Sequence, residues 1–293
     1  MIRMKDFPWI WIVILGLSGV DCIWLRVAED SVPLNSLAPA LGMVGLLMAV
    51  SVIYSTLRPD FRLALLTQYA AQLLAYSVSL GIFSYLAVTL RFPLIDAQLN
   101  AADQAVGFDW LSTYRWCLAH PILKFVLSLA YSSVVVQMGV LMTLLVSLRR
   151  YDRAQSFMWI YIVSSISYIL IAALWPAVGA FSTYHVALET PYVKEFWALY
   201  DGSMTSFNIL NMQGVVQFPS FHLTLAVLCS YAVRGIKIWF PLITLLNMAV
   251  IAATPAIGGH YLSDLWSSLF LTALVIAVVD YCLRAYNSTK TGT

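Results

Sequence analysis

Charged residues are scarce in this chain. Lysine, arginine, aspartate and glutamate make up only 10% of its 293 residues, whereas a soluble domain carries about 25%. The 16 basic and 14 acidic residues leave a net charge of +2, and the basic ones are dispersed along the sequence. This composition excludes an ordinary soluble domain. It also gives no support for nucleic-acid binding, which requires a basic patch.

Cysteine and histidine are scarce as well. The four cysteines, Cys22, Cys117, Cys229 and Cys282, are far apart in the sequence. They have neither the spacing of a zinc site nor the density of a disulfide-linked domain. We expect free thiols that pack as small hydrophobic side chains. The chain has only four histidines, so a grouping of two of them is informative.

Long hydrophobic runs are abundant, and 61% of the residues are hydrophobic. A run of about 20 apolar residues can cross a bilayer, and hydropathy predicts eight such spans. They cover approximately residues 8–27, 37–57, 63–88, 121–147, 156–175, 219–236, 239–257 and 262–284. The sequence therefore predicts an all-α integral membrane protein of about eight transmembrane helices, followed by a disordered tail at 287–293.

The distribution of charge predicts the orientation in the membrane. If eight spans alternate, the side that holds both termini also holds most of the basic residues, among them Arg149, Arg150 and Arg153. Basic residues favour cytoplasmic loops. We therefore predict a multi-pass protein of the cell or inner membrane with both termini in the cytoplasm.

Two short polar segments interrupt the apolar sequence where predicted spans begin. One is Phe218-Pro219-Ser220-Phe221-His222, and the other is Gly258-Gly259-His260-Tyr261-Leu262-Ser263-Asp264. The span count places both on the non-cytoplasmic side. Ionisable groups within membrane helices are costly and are functional as a rule. We expect the two segments to form one site.

The local sequence of these segments favours an anion-binding site. Pro219 suits the first position of a helix, with Ser220 and His222 in the first turn. Gly258 and Gly259 precede a helix that we expect to start near His260. Two helix N-termini with free backbone N–H groups would then face one region and bind a phosphate. Glycine lets the backbone approach such an anion closely.

The spacing of the ionisable residues favours phosphoryl transfer. His260 and Asp264 are four residues apart, so on a helix they would share a face. A carboxylate on one imidazole nitrogen leaves the other free as a nucleophile. His222 could then protonate the leaving alkoxide and later accept a proton from the incoming hydroxyl. This scheme requires no metal or other cofactor.

Two loops on the same side contain short amphipathic stretches. Ile95, Leu99, Ala102 and Val106 share one helical stripe, and a second stretch covers residues 193–199. Trp110, Tyr114 and Trp116 follow the first stretch and are expected at headgroup depth. Both stretches could be interfacial helices that seat the protein in the membrane, or walls of a lateral entrance for a lipid.

The two polar segments resemble motifs of the type 2 phosphatidic acid phosphatase superfamily. The first is similar to the second family motif, usually Pro-Ser-Gly-His, and the second is similar to the end of the third motif. Within the superfamily the chain looks closest to the inositol phosphorylceramide synthase branch, whose members are inositolphosphotransferases. The resemblance implies a six-helix core at 61–286, preceded by a transmembrane hairpin at 1–60.

The resemblance also implies individual roles. His260 would be the nucleophile, Asp264 its orienting partner, His222 the general acid and Ser220 a phosphate ligand, with Gly259 beside the substrate. The substrate would be a lipid phosphate or phospholipid, and an alcohol could serve as the acceptor.

Two motifs of the phosphatase branch have no counterpart here. Its Ser-Arg pair ahead of the third-motif histidine is replaced by Ala253 and Thr254, and its first motif has no match. The missing arginines fit the transferase-like branch better than the hydrolase branch. The phosphate charge would then be met by helix N-termini or by another basic residue on that side. The basic residues considered are Arg91, Arg115, Lys124 and Lys194.

Other classes of function remain open at the level of sequence. The histidines could coordinate a haem or a metal between helices, although glycine-rich helix starts suit anions better. The chain could also be a non-catalytic lipid carrier or lipid-binding protein that has kept the fold. The leading hypothesis is a membrane lipid phosphatase or phosphotransferase that acts through a phosphohistidine.

Overall fold

The computed structural model describes residues 8–291 of the chain. Within this range every regular element is a helix, apart from one isolated bridge between Ser31 and Ser206. The predicted all-α class is confirmed. Arg3 and Lys5, which contributed to the predicted orientation, lie outside the described residues.

Among residues 8–291, seven helices are long and apolar enough to cross a membrane, so the chain is a multi-pass membrane protein. These are α1 (Pro8–Ala28), α2 (Leu34–Thr56), α3 (Phe61–Val88), α6 (Pro121–Ser147), α7 (Tyr151–Leu174), α11 (Trp239–Gly258) and α12 (Leu262–Thr291). Because α12 continues to Thr291, the predicted disordered tail is wrong for residues 287–291. Once the preceding turns of α12 have formed, each further residue adds one backbone hydrogen bond and loses the conformational freedom of only one residue.

The other predicted span, 219–236, contains a shorter helix, α10 (Phe221–Ala232), of 12 residues. At 1.5 Å per residue it is about 18 Å long, whereas the hydrocarbon core is about 30 Å thick. The helix ends before Gly235, whose φ of 73° is left-handed. The predicted span at 219–236 is thus one continuous apolar stretch in the sequence, but its first and last residues lie outside the helix.

In the described part of the chain, four further α-helices and one short 3-10 helix, Ile209–Asn211, lie in the connections. The α-helices are α4 (Asp96–Ala105), α5 (Trp110–Ala119), α8 (Ala180–Thr183) and α9 (Pro191–Asp201). The amphipathic stretch at 193–199 is confirmed as part of α9, which buries Val193, Phe196 and Leu199. In α4 the apolar stripe is divided, because Leu99 is buried and Val106 is exposed.

The chain divides into two compact units. One comprises residues 1–92, 142–149 and 189–215. In it α1 packs on α3, with the hydroxyls of Ser18 and Ser79 2.6 Å apart. The α9 helix is joined to α3 because the buried hydroxyl of Tyr85 donates to Glu195. The predicted boundary between a hairpin at 1–60 and a core at 61–286 stays a prediction.

The other unit comprises residues 93–141, 150–188 and 216–293. Its interior is formed where α7, α10 and α12 pack together. The Tyr168 hydroxyl lies 2.8 Å from the Ser268 carbonyl and 2.9 Å from the Thr272 hydroxyl. Thr272 is also 2.9 Å from the Thr224 hydroxyl of α10. This chain of hydroxyl groups satisfies polar atoms that would be costly to bury alone, and both polar segments lie in this unit.

Candidate active site

The two polar segments meet in the second unit. The hydroxyl oxygen of Ser220 lies 3.4 Å from Nε2 of His260, although the residues are 40 positions apart. Both side chains are buried, with relative exposures of 0% and 2%. Two groups that are polar and distant in sequence are therefore placed side by side in a water-poor environment.

The first polar segment leads into α10 at a different residue from the one predicted. The helix begins at Phe221, and Ser220 is its N-cap residue with φ −70° and ψ 110°. The prediction that Pro219 occupies the first helical position is wrong. Ser220 makes no side-chain cap hydrogen bond, because its hydroxyl faces His260 instead. The first-turn N–H groups of α10 thus remain uncapped by Ser220, as an anion site requires.

The second polar segment is a tight connection between α11 and α12. Gly259 ends α11 in the left-handed conformation (φ 72°), and its N–H donates to the Thr254 carbonyl. Its carbonyl oxygen accepts a hydrogen bond of 2.7 Å from the Ala180 N–H. Gly259 therefore shapes the turn next to the site, and its N–H is already occupied. The left-handed backbone explains why glycine stands there.

His260 and Asp264 are paired, but the predicted helical geometry is wrong. His260 precedes α12, which begins at Leu262, so the two residues do not share one helix. Nevertheless Nδ1 of His260 lies 3.3 Å from Oδ2 of Asp264, which also accepts a 3.0 Å hydrogen bond from the Tyr261 N–H. The carboxylate on Nδ1 favours a proton there and leaves Nε2 with its lone pair toward Ser220.

His222 lies in the first turn of α10 and is half-buried. Its imidazole stacks on the phenol ring of Tyr131 from α6, with centroids 4.0 Å apart and planes inclined by 11°. It is close enough to His260 for the two imidazoles to interact electrostatically. The structure therefore groups both histidines, the serine and the aspartate, and it adds a tyrosine that the sequence did not indicate.

The start of α12 is not an open anion site, contrary to the expectation of two free helix N-termini. The N–H groups of Leu262 and Ser263 donate to the carboxylate of Asp103 over 2.7 and 2.8 Å. Asp103 belongs to α4 and is 1% exposed. A buried carboxylate at this position stabilises the helix N-terminus. The uncapped N-terminus of α10 is the remaining candidate for phosphate binding.

A second carboxylate of α4 holds the neighbouring loops. Asp96 accepts hydrogen bonds from the N–H groups of Val178 and Gly179, at 3.0 and 2.8 Å. It also accepts a 3.1 Å hydrogen bond from the Tyr261 hydroxyl. Burial raises the pKa of Asp96, and these hydrogen bonds act in the opposite direction. The inner face of α4 thus fixes residues 261–263, which follow His260, together with the loop at residues 178–179.

Trp110 of α5 supports the backbone of His260. Its indole N–H lies 3.1 Å from the Pro255 carbonyl and 3.0 Å from the His260 carbonyl. Its ring is stacked between Tyr114 and Tyr184, at 5.2 and 5.3 Å. The Trp110 side chain is 1% exposed and thus packs within the protein, whereas Trp116 is 56% exposed; the headgroup depth of both stays a prediction. Sequence separation hid this role, since 150 positions separate Trp110 from His260.

The environment of His260 keeps its imidazole neutral. Burial lowers the pKa of His260 from 6.5 to about 4, and a hydrogen bond with the Gln217 backbone acts in the opposite direction. At neutral pH the ring therefore carries no charge. A neutral imidazole with a carboxylate on one nitrogen can act as a nucleophile through the other.

No arginine or lysine side chain is buried with these groups in the described part of this unit. Arg115 and Lys124 are exposed, and Arg91 and Lys194 belong to the other unit, where Lys194 pairs with Glu189. Among residues 8–291 no three histidine, cysteine, aspartate or glutamate residues form a group that could hold a metal ion. The groups that can meet an anion here are the N-terminus of α10 and neutral donors.

Comparison with known proteins yields one match. The family model of the PAP2 superfamily matches residues 97–278, which include both polar segments and the helices α4, α5, α10 and α11. No curated protein and no solved structure matches the chain. The matched region begins inside α4 and therefore contains Asp103 and Trp110 as well as the two histidines.

Proposed function

The chain belongs to the PAP2 superfamily, whose members are phosphatases and phosphotransferases, and we propose that it transfers a phosphoryl group of a membrane lipid through a covalent intermediate on His260. The observation that carries this proposal is the environment of the imidazole. Nδ1 faces Asp264 and Nε2 faces the hydroxyl of Ser220 at the uncapped start of α10.

In the first step Nε2 of His260 attacks the phosphorus atom. A P–N bond forms, the P–O bond to the leaving alcohol breaks, and His222 gives a proton to the leaving oxygen. Burial lowers the pKa of His222 to about 3 and keeps the free imidazole neutral, so His222 takes up this proton when the phosphate anion binds beside it. Asp264 stabilises the positive charge that develops on the imidazole. Ser220 and the first-turn N–H groups of α10 supply hydrogen-bond donors to the phosphoryl oxygens.

In the second step an acceptor hydroxyl, from water or an alcohol, attacks the phosphohistidine. His222 accepts the proton of that hydroxyl, the P–N bond breaks, and His260 regains its neutral form. No metal or other cofactor takes part in either step. We assign the acceptor as an alcohol, in the manner of an inositolphosphotransferase. Support comes from Ala253 and Thr254, both fully buried, which stand where the phosphatase branch has its Ser-Arg pair.

We further propose that the reaction takes place on the non-cytoplasmic side. The alternation of spans and the excess of basic residues in the opposite loops support this orientation. The substrate would be a lipid phosphate or phospholipid that reaches the site from the membrane.

The proposal is tested with purified protein and a panel of radiolabelled lipid phosphates and phospholipids, with and without myo-inositol. Wild-type protein should convert at least one of them and accumulate an acid-labile phosphoprotein. His260→Ala should lower turnover by at least about a thousandfold and abolish the label. His120→Ala is the matched control, because this exposed histidine bonds only to the Trp116 carbonyl. Labelling or turnover that survives in His260→Ala would contradict the mechanism.

A further inference from the structure

Tyr131 contributes a hydroxyl group to the site that the two proposed steps do not use. Its hydroxyl makes no hydrogen bond with any of residues 8–291, whereas its ring lies flat on the imidazole of His222. The residue stands ten positions into α6. A tyrosine within a membrane span ordinarily finds a hydrogen-bond partner when it is buried.

The position of the hydroxyl is defined by Gly258. A β-carbon at Gly258 would lie 2.5 Å from the Tyr131 hydroxyl oxygen and 2.9 Å from Cδ2 of His260. The hydroxyl and the edge of the imidazole therefore flank the same point. Cδ2 is the ring carbon bonded to Nε2, so the tyrosine lies on the nucleophilic side of His260 and away from Asp264.

We propose that Tyr131 is a catalytic residue whose hydroxyl donates a hydrogen bond to a non-bridging oxygen of the phosphoryl group as it bonds to Nε2. This inference rests on the proposed function. A phosphorus atom on Nε2 carries its oxygens into the space beside Cδ2, where the hydroxyl lies. A neutral donor suits a site that has no buried cation, and a fixed donor to a developing oxyanion is worth about 10²–10³ in rate.

The ring of Tyr131 has a separate role in the same arrangement. Stacking at 4.0 Å fixes the plane of the His222 imidazole, and therefore the direction of its proton transfer. One residue would thus align the acid with its ring and stabilise the phosphoryl group with its hydroxyl. Tyr131→Phe separates the two roles, since it keeps the ring and removes only the hydroxyl.

Gly258 provides an independent perturbation. It is the last residue of α11 and its φ is not in the left-handed region, so alanine is compatible with its backbone. The added methyl group would displace the Tyr131 hydroxyl while leaving the tyrosine in the sequence, and it would also press on Cδ2 of His260. Gly258→Ala should therefore reproduce the defect of Tyr131→Phe.

The test uses orthovanadate, which adopts the geometry of a transferring phosphoryl group, and measures its affinity for the full-length protein by calorimetry. Tyr131→Phe and Gly258→Ala should each weaken vanadate binding about 10–100-fold and lower kcat about 10²–10³-fold with KM changed less than about threefold. Tyr281→Phe is the matched control, because Tyr281 is 74% exposed on α12. Its vanadate affinity should equal that of wild type.

The outcomes separate this inference from the proposed function. If His260→Ala abolishes vanadate binding and Tyr131→Phe does not weaken it, the role of the hydroxyl is overturned and the nucleophile stands. If Tyr131→Phe is silent and Tyr131→Leu is impaired, the ring acts alone and the inference is again overturned. If wild-type protein binds no vanadate, or binds it equally well without His260, the proposed function fails and the inference fails with it.

Discussion

His260 can act as a nucleophile only while Nε2 is unprotonated. Burial lowers the pKa of its imidazole to about 4, although the hydrogen bond with the Gln217 backbone acts in the opposite direction. In the free enzyme Nε2 of His260 therefore stays unprotonated from neutral pH down to about pH 4. A surface histidine, with a pKa near 6.5, would already be largely protonated at pH 5.5.

This difference predicts the pH dependence of the reaction. With a phosphodiester donor, whose phosphate does not titrate above pH 3, the contribution of His260 to kcat/KM should persist below pH 6. It should fall as the pH drops through about 4, because protonation then removes the lone pair of Nε2. Stopped assays of detergent-solubilised protein measure this profile, with Asp264→Asn as the comparison. An acid limb that remains at about 6.5 in both proteins would contradict the burial of a neutral imidazole.

Single residues of the site differ in how far the sequence could predict them. His222, His260 and Asp264 were found because polar residues stand out at the starts of apolar runs. Tyr131 and Trp110 were not, since an aromatic residue in an apolar helix carries no local sign of its contacts. Trp110 reaches a carbonyl 150 positions away, and only the packing of α5 on the α11–α12 connection shows this contact.

At the scale of helices, α4 decides where α12 begins. The carboxylate of Asp103 receives the N–H groups of Leu262 and Ser263, so the turn that carries Asp264 is held from outside its own helix. The sequence predicts an apolar stripe on α4, but it contains no sign that the aspartates of α4 would cap another helix. The predicted span at 262–284 starts where α12 does, at Leu262. His260 therefore lies outside the helix, and the shared helical face predicted for His260 and Asp264 is wrong.

Asp103→Ala should therefore weaken both stability and catalysis. Loss of a cap costs about 0.5–2 kcal/mol, and the displaced Asp264 should lower turnover about 10–100-fold. Thermal unfolding and the turnover assay measure the two effects on the same preparation. Asp60→Ala is the control, because Asp60 caps α3 in the other unit by accepting the N–H groups of Arg62 and Leu63. Turnover that falls equally in both variants would show a loss of folded protein instead.

At the scale of the whole molecule, composition was sufficient for the fold class. Apolar runs identified the seven long helices, and the family match covers residues 97–278. The remaining span was overestimated because hydropathy measures the extent of apolar sequence. It does not register where Ser220 and Gly235 end the regular helix around α10.

A labelling experiment can test the proposed orientation of the molecule in the membrane. In a protein whose native cysteines are replaced by serine, Gln104→Cys should react with a membrane-impermeant maleimide added to intact cells. Lys237→Cys should react only after the membrane is permeabilised, because the proposed orientation places the connection between α10 and α11 in the cytoplasm. Both positions are exposed, so access through the membrane decides the result. The reverse pattern would place the site in the cytoplasm.

The shortness of α10 has an electrical consequence. If the last turn of α10 lies at the cytoplasmic boundary, as the proposed orientation requires, its 12 residues cover about 18 Å. Its first turn would then lie about 12 Å inside a hydrocarbon core of about 30 Å. A phosphate that reaches His222 and His260 from the opposite side would cross more than a third of the transmembrane voltage. At 100 mV, interior negative, each of its charges would meet a barrier of about 1 kcal/mol. The energised state of the membrane would thereby set the occupancy of the site by anionic lipids.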